Sequence, residues 1–319
     1  MDGTAGANTL TVGSAAGELA TPPPQSLWRR VLASGGVSYL FILPAVAIYV
    51  AVILAPILMG AGYAFTDWDG LRQIVNYNGL ANFRRMIGDQ QVRSAISTTL
   101  IIAFSLVVVK VVLGLVLALV VNSNVKSRNW LRLVFFMPVV LTPIIVSYMW
   151  KYIFSNNGTL NTLLKMVGLE PLRWLGDPTL ALISVIIVTS WQSVGLSMVI
   201  FLAGLQAVPP ELDEAATIDG ANPLQRIWHV TLPLLAPAMT VCVVIALIQG
   251  LRFFDQIYAL TRGGPGYATE TLSTMIYRIS FQFGEFSYGA AVAMVFSLIV
   301  GVIVLPVMQV LRRREIAHG

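Results

Sequence analysis

Long apolar segments without charged residues constrain this chain more than any other feature of its sequence. The first covers residues 31–66 and contains no Asp, Glu, Lys or Arg. About 20 apolar residues in a helix cross the hydrocarbon core of a bilayer, so this segment predicts a membrane-spanning helix. Overall, 56% of the residues are hydrophobic and 11% are charged, and the mean hydropathy is +0.78. The sequence therefore predicts an all-α integral membrane protein.

Six segments of this kind predict six membrane-spanning helices. They cover residues 37–63, 96–121, 133–149, 179–205, 232–251 and 288–311. The second segment contains one charged residue, Lys110. A cation at the centre of a bilayer costs about 2.5–3.5 kcal/mol on insertion scales, so Lys110 is expected to face protein or water, or to extend toward the interface. Asp255 is a candidate partner for it.

The remaining residues form tails and connecting loops. Residues 1–30 are rich in Ala, Gly, Thr, Ser and Pro and show no hydrophobic periodicity, which predicts a disordered tail. Residues 31–314 form the predicted membrane domain, and residues 315–319 form a C-terminal tail. An even number of crossings puts both termini on one side. Short basic clusters beside the first, third and sixth spans favour the cytoplasmic side for them.

A polar loop at residues 206–232 separates the fourth and fifth predicted spans. Pro210 suits the first turn of a helix, and Gly220 suits the positive φ of a helix exit. Asn222 and Gln225 have the spacing of a capping box, in which each side chain satisfies the other residue's amide. The 206–232 loop is therefore predicted to contain two short helices separated by a break at Gly220.

No motif in the sequence supports an enzyme, a metal-binding protein or a nucleic-acid-binding protein. The histidines, His229 and His318, cannot complete a metal triad, and a lone Cys242 excludes disulfides and thiolate metal sites within the chain. The sequence has neither a zinc-protease motif nor a phosphate-binding loop. The net charge of +5 comes from scattered residues that form no basic stripe with interleaved aromatics. We therefore expect no catalysis, no metal, no cofactor and no nucleic-acid partner.

Two sets of motifs resemble a known family. The 206–232 loop and its flank contain Glu214-Ala215-Ala216, Asp219-Gly220-Ala221 and Leu232-Pro233-Leu234-Leu235. At this spacing between two spans, they resemble the cytoplasmic coupling loop of membrane subunits of ABC-type importers. A second stretch contains Phe254-Asp255-Gln256-Ile257-Tyr258, Thr261 and Gly263-Gly264-Pro265-Gly266. It is similar to the carbohydrate branch, the maltose and glycerol-phosphate type of permease. The resemblance covers roughly residues 40–314 and implies the type I ABC importer permease fold.

The resemblance implies that the 206–232 loop docks on a partner ATPase. The residues that it assigns to this dock are Glu214, Ala215, Ala216, Ile218, Asp219, Gly220 and Ala221. Small side chains permit close backbone approach, and a partly desolvated carboxylate makes the contact directional. Because this chain lacks a phosphate-binding loop, ATP and Mg²⁺ are expected on the partner ATPase subunits. The alternative is a solvated loop without a partner.

Polar residues within the spans are the candidates for contact with a substrate. The resemblance assigns the pathway to Gln192, Ser193, Gln249, Gly250 and Phe253. Amides and hydroxyls exchange hydrogen bonds with sugar hydroxyls, and an aromatic face stacks on a pyranose ring. The alternative is interhelical hydrogen bonding, which contributes about 0.6 kcal/mol on average in membrane bundles and needs no ligand.

As a whole, the resemblance implies a permease subunit that forms half of a sugar or oligosaccharide pathway in a bacterial or archaeal cytoplasmic membrane. Its expected partners are a second permease subunit of different sequence, two ATPase subunits, an extracytoplasmic solute-binding protein and the surrounding lipid. A permease for a phosphorylated polyol such as glycerol phosphate is the alternative within this class, with Lys110 or Arg252 as the phosphate ligand. A channel or a membrane-embedded enzyme would need a symmetric pore motif or a catalytic cluster, and neither occurs in the sequence.

Overall fold

The computed structural model describes residues 36–123 and 126–318. Within these ranges every regular element is a helix, and one isolated bridge pairs Thr66 with Tyr77. The predicted disordered tail at residues 1–30 lies outside the described residues. The chain divides into two compact units, the first ending at Leu58 and the second beginning at Met59.

The first unit contains most of the first predicted span. Helix α1 (Gly36–Tyr49) passes through a π-helical turn (Val50–Leu54) into α2 (Ala55–Tyr63), which continues past the boundary between the units. The wider turn ends two residues before Pro56, which has no N–H for an α-helical hydrogen bond. The stretch Ile42–Tyr63 has a mean hydropathy of 2.6, so the predicted helical span is confirmed.

The second unit contains the other helices. They are α3 (Ala81–Gly88), α4 (Gln90–Asn122), α5 (Arg128–Val140), α6 (Pro143–Ile153), α7 (Thr159–Met166), α8 (Pro178–Gln206), α9 (Pro210–Ile218), α10 (Pro223–Arg226), α11 (Leu232–Leu234), α12 (Ala236–Leu251), α13 (Asp255–Leu260), α14 (Leu272–Tyr277) and α15 (Phe286–His318). Two π-helical segments, Ile227–Thr231 and Arg278–Gln282, follow α10 and α14. Helices α4, α8 and α15 are long and apolar enough to cross a bilayer, and they contain the second, fourth and sixth predicted spans.

The third predicted span, residues 133–149, is not one continuous helix. Helices α5 and α6 form an angle of 102° across Leu141 and Thr142. A proline disfavours helical backbone in the residue before it, and Thr142, which precedes Pro143, has an extended ψ of 141°. The break frees the Leu141 carbonyl, which accepts a hydrogen bond from Gln192 Nε2 at 2.7 Å. The span is therefore broken, and a neighbouring helix satisfies its open backbone group.

The fifth predicted span, residues 232–251, also needs correction. Leu232–Leu234 ends a helical segment that starts at Pro223, and this segment forms an angle of 71° with α12. The chain turns at Leu235, which is fully buried in a cluster with Phe201 of α8. Only α12 therefore continues the span beyond the turn. With each bent pair counted as one span, the described chain has six segments that are long and apolar enough to cross a bilayer.

Helix α8 is the central helix of the second unit. In its most apolar window 61% of the residues are buried, against 28% for α4. Helices α4 and α8 run parallel, because Leu106 shares one buried cluster with Val185, and Ala118 shares another with Phe201. The 206–232 loop follows the C-terminal end of α8. We call the opposite end of the unit, where α3, α7, α13 and α14 lie, the distal end.

Helix α15 runs from the distal end toward the 206–232 loop. Near its start, Tyr288 belongs to a buried cluster with Val92 of α4. Farther along, Val304 clusters with Ala103, which lies later on the same helix. Helices α15 and α4 are therefore parallel, and the C-terminal end of α15 points to the same end of the unit as the 206–232 loop.

A buried ion pair joins two segments of the distal end. Arg278 donates from Nε and Nη2 to the two carboxylate oxygens of Glu270, at 2.7 and 2.9 Å, and Glu270 is 2% exposed. Burial lowers the pKa of Arg278, but the hydrogen bonds and charge of Glu270 more than offset this, so its pKa lies above the ordinary value. A bidentate pair of this geometry fixes the loop after α13 against the π-helical segment that follows α14.

Candidate functional site

The first helix of the 206–232 loop ends as its sequence predicts. Helix α9 begins at Pro210 and has acidic residues in its first turn, where free N–H groups favour negative charge. Gly220 follows the helix with a φ of +82°. The Ala221 amide then donates to the Ala216 carbonyl at 3.0 Å, which is the pattern of a glycine-terminated helix. The predicted positive φ at Gly220 is confirmed.

The second helix begins with the predicted cap. The Gln225 amide donates to Asn222 Oδ1 at 2.9 Å, and the Asn222 amide donates to Gln225 Oε1 at 2.9 Å. Pro223 is the first helical residue, where its missing N–H leaves no hydrogen bond unmade. The capping box is therefore confirmed, and both helix ends at the break are set by local residues.

A side-chain contact that sequence reasoning missed joins the two helices. Arg226 Nη1 donates to Asp213 Oδ2 at 2.8 Å and to Thr217 Oγ1 at 2.6 Å. The Thr217 hydroxyl donates in turn to the Asp213 carbonyl at 2.8 Å, so both acceptors lie on one face of α9. The only signal in the sequence was a pair of opposite charges on either side of Gly220. The contact fixes the angle between α9 and α10.

The seven residues that the sequence assigns to ATPase docking all lie on α9 or at its exit. Five are exposed, Ile218 at 86%, and two alanines are half-buried. Glu214 is exposed and makes no ion pair among the residues that the structure describes. Leu224 and Trp228, exposed at 64% and 63%, extend this surface onto the second helical segment and were not predicted. The loop thus exposes both carboxylates and apolar side chains.

A cavity of about 470 Å³ lies among α4, α5, α6, α8, α12 and α13. Its polar lining consists of Lys110, Thr189, Gln192, Ser193, Gln249, Arg252, Asp255 and Gln256. Four of the five predicted pathway residues line this cavity, namely Gln192, Ser193, Gln249 and Phe253. The structure therefore brings together pathway residues from two separate regions of the sequence, and Lys110 adds a third region.

Gly250, the fifth predicted pathway residue, lies against α4 and does not line the cavity. A Cβ atom at this position would be 2.7 Å from Ala103 Cα, closer than real Cβ atoms come to backbone. Small residues at such contacts let membrane helices approach closely. Gly250 thus allows α12 to pack on α4, while the adjacent Gln249 lies on the cavity wall.

A chain of amide groups crosses the cavity wall. Gln192 donates to the freed Leu141 carbonyl, and its Oε1 accepts a hydrogen bond from Gln256 Nε2. Gln256 is 2% exposed, and its own Oε1 has no hydrogen-bond partner within the described chain. Ser193 Oγ donates to the Thr189 carbonyl of its own helix at 2.6 Å. Gln192 thus has a structural role at the broken span, and Gln256 leaves one buried acceptor open.

Lys110 lies on the cavity wall and is 3% exposed. Its Nζ donates to Gln249 Oε1 at 2.6 Å, which links α4 to α12. Asp255, its candidate partner from the sequence, lines the same cavity but forms no ion pair with it among the described residues. The expectation that Lys110 faces protein or water is confirmed, and its partner is a neutral amide.

Known proteins resemble this chain over most of its length. The family model described as "Binding-protein-dependent transport system inner membrane component" matches residues 110–317. The multiple sugar-binding transport system permease protein MsmF of Streptococcus mutans is 35% identical over 265 residues, which cover 82% of this chain and 91% of MsmF. The trehalose/maltose transport system permease protein MalF of Thermococcus litoralis is 34% identical over 262 residues, covering 80% and 86% of the two chains.

Solved structures give the same result for the fold. A crystal structure of a bacterial ABC transporter involved in the import of the acidic polysaccharide alginate superposes on this chain with a TM-score of 0.79. The two are 25% identical, and the match covers 91% of this chain and 99% of that chain. The predicted importer permease fold is therefore confirmed. The region matched by the family model contains both the 206–232 loop and the polar lining of the cavity.

Proposed function

Because this chain belongs to the family of binding-protein-dependent transport system inner membrane components, we propose that it is a permease subunit of an ATP-driven importer for a sugar or oligosaccharide. The cavity beside α8 carries this proposal. Amides, a serine hydroxyl and the Phe253 ring surround about 470 Å³ amid apolar helices, a volume typical of small-molecule sites. Those groups suit a ligand rich in hydroxyls. Relatives named for multiple sugars and for trehalose and maltose support the same substrate class.

The 206–232 loop serves in this proposal as the dock for one of two ATPase subunits. Helix α8 leads into the loop, and the segment that leaves it turns into α12, so the loop connects two walls of the cavity. ATP and Mg²⁺ would bind to the ATPases, and this chain would catalyse no reaction. Closure of the ATPases would then favour one of two arrangements of the cavity walls, giving alternating access.

Two further partners complete the importer. A second permease subunit of different sequence would form the other half of the pathway, and a solute-binding protein would deliver the sugar at the distal end. The alginate transporter was solved in complex with a periplasmic protein bound to an alginate pentasaccharide, which supports this assembly. The family description places its members in the inner membrane. Docking of ATPases on the 206–232 loop would make the nearby C-terminal end of α15 cytoplasmic, and an even number of crossings would place the N terminus there too.

The phosphorylated polyol stays the second candidate, because Lys110 and Arg252 both line the cavity. The test is uptake by the assembled importer in proteoliposomes, with its solute-binding protein and with labelled neutral oligosaccharides, uronate-containing oligosaccharides and glycerol 3-phosphate. We expect uptake of at least one saccharide that requires both ATP and the solute-binding protein. Uptake of glycerol 3-phosphate alone would favour the second candidate, and uptake without ATP would contradict an importer of this class.

A further inference from the structure

The charges on the cavity wall are unbalanced. Two basic side chains, Lys110 and Arg252, line it together with one carboxylate, Asp255. No ion pair joins any of these three residues within the described ranges. Two cations and one anion leave this wall with a formal charge of +1. Arg252 and Asp255 are exposed, whereas Lys110 is 3% exposed. The buried charge on this wall is therefore the +1 of Lys110. A buried charge is costly unless it is paired, so the wall favours an anionic ligand.

Lys110 provides the site for that anion. Its ammonium group has three N–H donors, and one of them donates a hydrogen bond to Gln249 in the described part of the chain. Gln249 is a neutral amide, so the hydrogen bond leaves the positive charge uncompensated. Lys110 is 3% exposed overall but borders the cavity. A carboxylate in the cavity could therefore accept hydrogen bonds from the two remaining donors and balance the charge.

Gln256 specifies a second feature of the ligand. It is 2% exposed, borders the same cavity, and its Oε1 lacks a hydrogen-bond partner in the described part of the chain. The other end of this amide donates to Gln192, which is itself held by the Leu141 carbonyl. The chain of amides thus orients Gln256 so that its free oxygen is an acceptor. A ligand hydroxyl is the natural donor for it.

We propose that the cargo is a carboxylated sugar, whose carboxylate pairs with Lys110 and one of whose hydroxyls donates to Gln256 Oε1. This inference rests on the proposed function, because it specifies the class of saccharide that the cavity accepts. The charge favours a carboxylate over a phosphate. A carboxylate carries one negative charge, which balances the formal charge of +1 on the wall. A phosphate monoester carries about −1.5 to −2 near pH 7, so part of its negative charge would be left unpaired.

The experiment uses the complete importer in proteoliposomes with its solute-binding protein. The probes are a disaccharide of one galacturonate and one galactose, the carboxyl-reduced disaccharide of the same linkage, and glycerol 3-phosphate. Wild-type importer should take up the uronate disaccharide, which carries one negative charge, faster than both other probes. Equal uptake of the two disaccharides would overturn the carboxylate inference but leave the sugar importer intact. Absence of any saccharide uptake would count against the proposed function itself, and preferred uptake of glycerol 3-phosphate would overturn both.

Variants of Lys110 test where the selectivity arises. Lys110→Met should slow uptake of the uronate disaccharide by about 30-fold and change uptake of the reduced disaccharide little, since the reduced sugar has no charge to pair. Lys110→Arg should keep the preference. A Lys110 that only holds Gln249 in place would lower both rates equally, and that result would overturn the inference. Lys110→Gln is the second variant if the methionine variant does not assemble, and Lys165→Met, on exposed α7, is the matched control.

Discussion

Arg226 Nη1 lies 2.8 Å from Asp213 Oδ2, so a salt bridge spans the glycine break of the 206–232 loop. The backbone caps determine where each short helix ends, and this bridge fixes how the two helices are oriented. The surface that we propose as the ATPase dock lies on both helices. Its shape therefore depends on a contact within the loop, before any partner is present.

Replacing Arg226 by Met should loosen the second helix against α9 and leave both helices formed. Because the pair is partly exposed, its loss should cost at most about 1 kcal/mol, or about five-fold in the fraction of ordered loop. ATPase retained in a pull-down from solubilised membranes should fall by a similar factor. Arg72→Met is the control, since it breaks an exposed pair with Asp69 outside the loop. Equal losses in both variants would argue against this role for the bridge.

Gly220→Val should impair uptake and the coupling of ATPase activity to transport. Nothing lies within 4 Å of a Cβ at Gly220, so a side chain there would not clash with other residues. The destabilisation comes instead from the backbone, because a side chain at φ +82° costs about 1–2 kcal/mol. Gly220→Asn should be milder, because Asn tolerates the left-handed region. Gly88→Val is the control, at a glycine with open space and no positive φ. Wild-type transport by the valine variant would contradict the need for a left-handed residue at the break.

Glu214→Ala should leave the permease in the membrane but reduce ATPase binding and substrate uptake. An exposed carboxylate contributes at most about 1 kcal/mol to an ion pair, whereas removal of one partner from a desolvated contact costs about 2–5 kcal/mol of association. Glu214→Gln, which keeps the shape and removes the charge, should be intermediate. Glu211→Ala is the matched control on the same helix. Retention of both the ATPase and full uptake by the Glu214 alanine variant would show that the loop couples through its apolar surface alone.

Phe253→Ala and Gln249→Ala should weaken uptake and leave assembly of the complex intact. Both residues line the cavity, and neither belongs to the 206–232 loop. The measurement is uptake kinetics in proteoliposomes, together with the amount of ATPase that co-purifies. Phe281→Ala, at an exposed aromatic residue of the distal end, is the control. Unchanged kinetics in both cavity variants would assign these side chains to helix packing.

Gly250→Ala should destabilise the permease, because its Cβ would meet the backbone of α4 at Ala103. Overpacking of this kind costs about 1–3 kcal/mol. The midpoint of thermal unfolding in detergent should fall, and Gly301→Ala, where space is open, should leave it unchanged. A Gly250→Ala variant with wild-type stability but no uptake would instead support the pathway role assigned from the sequence.

Local features of this protein could be predicted from its sequence. The exit at Gly220 and the cap at Asn222 follow from backbone conformation and from side chains three residues apart, so no distant contact is needed to fix them. The apolar segments likewise gave the number of crossings. They could not reveal the two bends, because composition measures the length of an apolar run and not its continuity. Pro143 was the available signal for the first bend.

Features that depend on how the helices are rotated against each other could not be predicted. Gln249 and Gly250 are adjacent in sequence, yet one lines the cavity and the other contacts Ala103, because successive helical residues point about 100° apart. The hydrogen-bond partner of Lys110 could not be predicted either. Whether Lys110 contacts Asp255 or Gln249 depends on the register of α4 against α12. The docking and pathway assignments remain predictions until the variants are measured.

The contact of Arg226 with the other helix of the 206–232 loop has a consequence for the kinetics of partner binding. Ordering a side chain when an interface forms costs about 0.5–1.5 kcal/mol. In this loop the caps and the Arg226 contact already order part of the surface when the chain folds, so less ordering is left for binding. A partner would therefore dock on a surface that is already ordered, and no slow rearrangement of the loop would precede binding. Among variants of one interface, differences in affinity lie mostly in the dissociation rate. Sequence changes on the exposed face of α9 would therefore alter how long an ATPase stays bound more than how quickly it arrives.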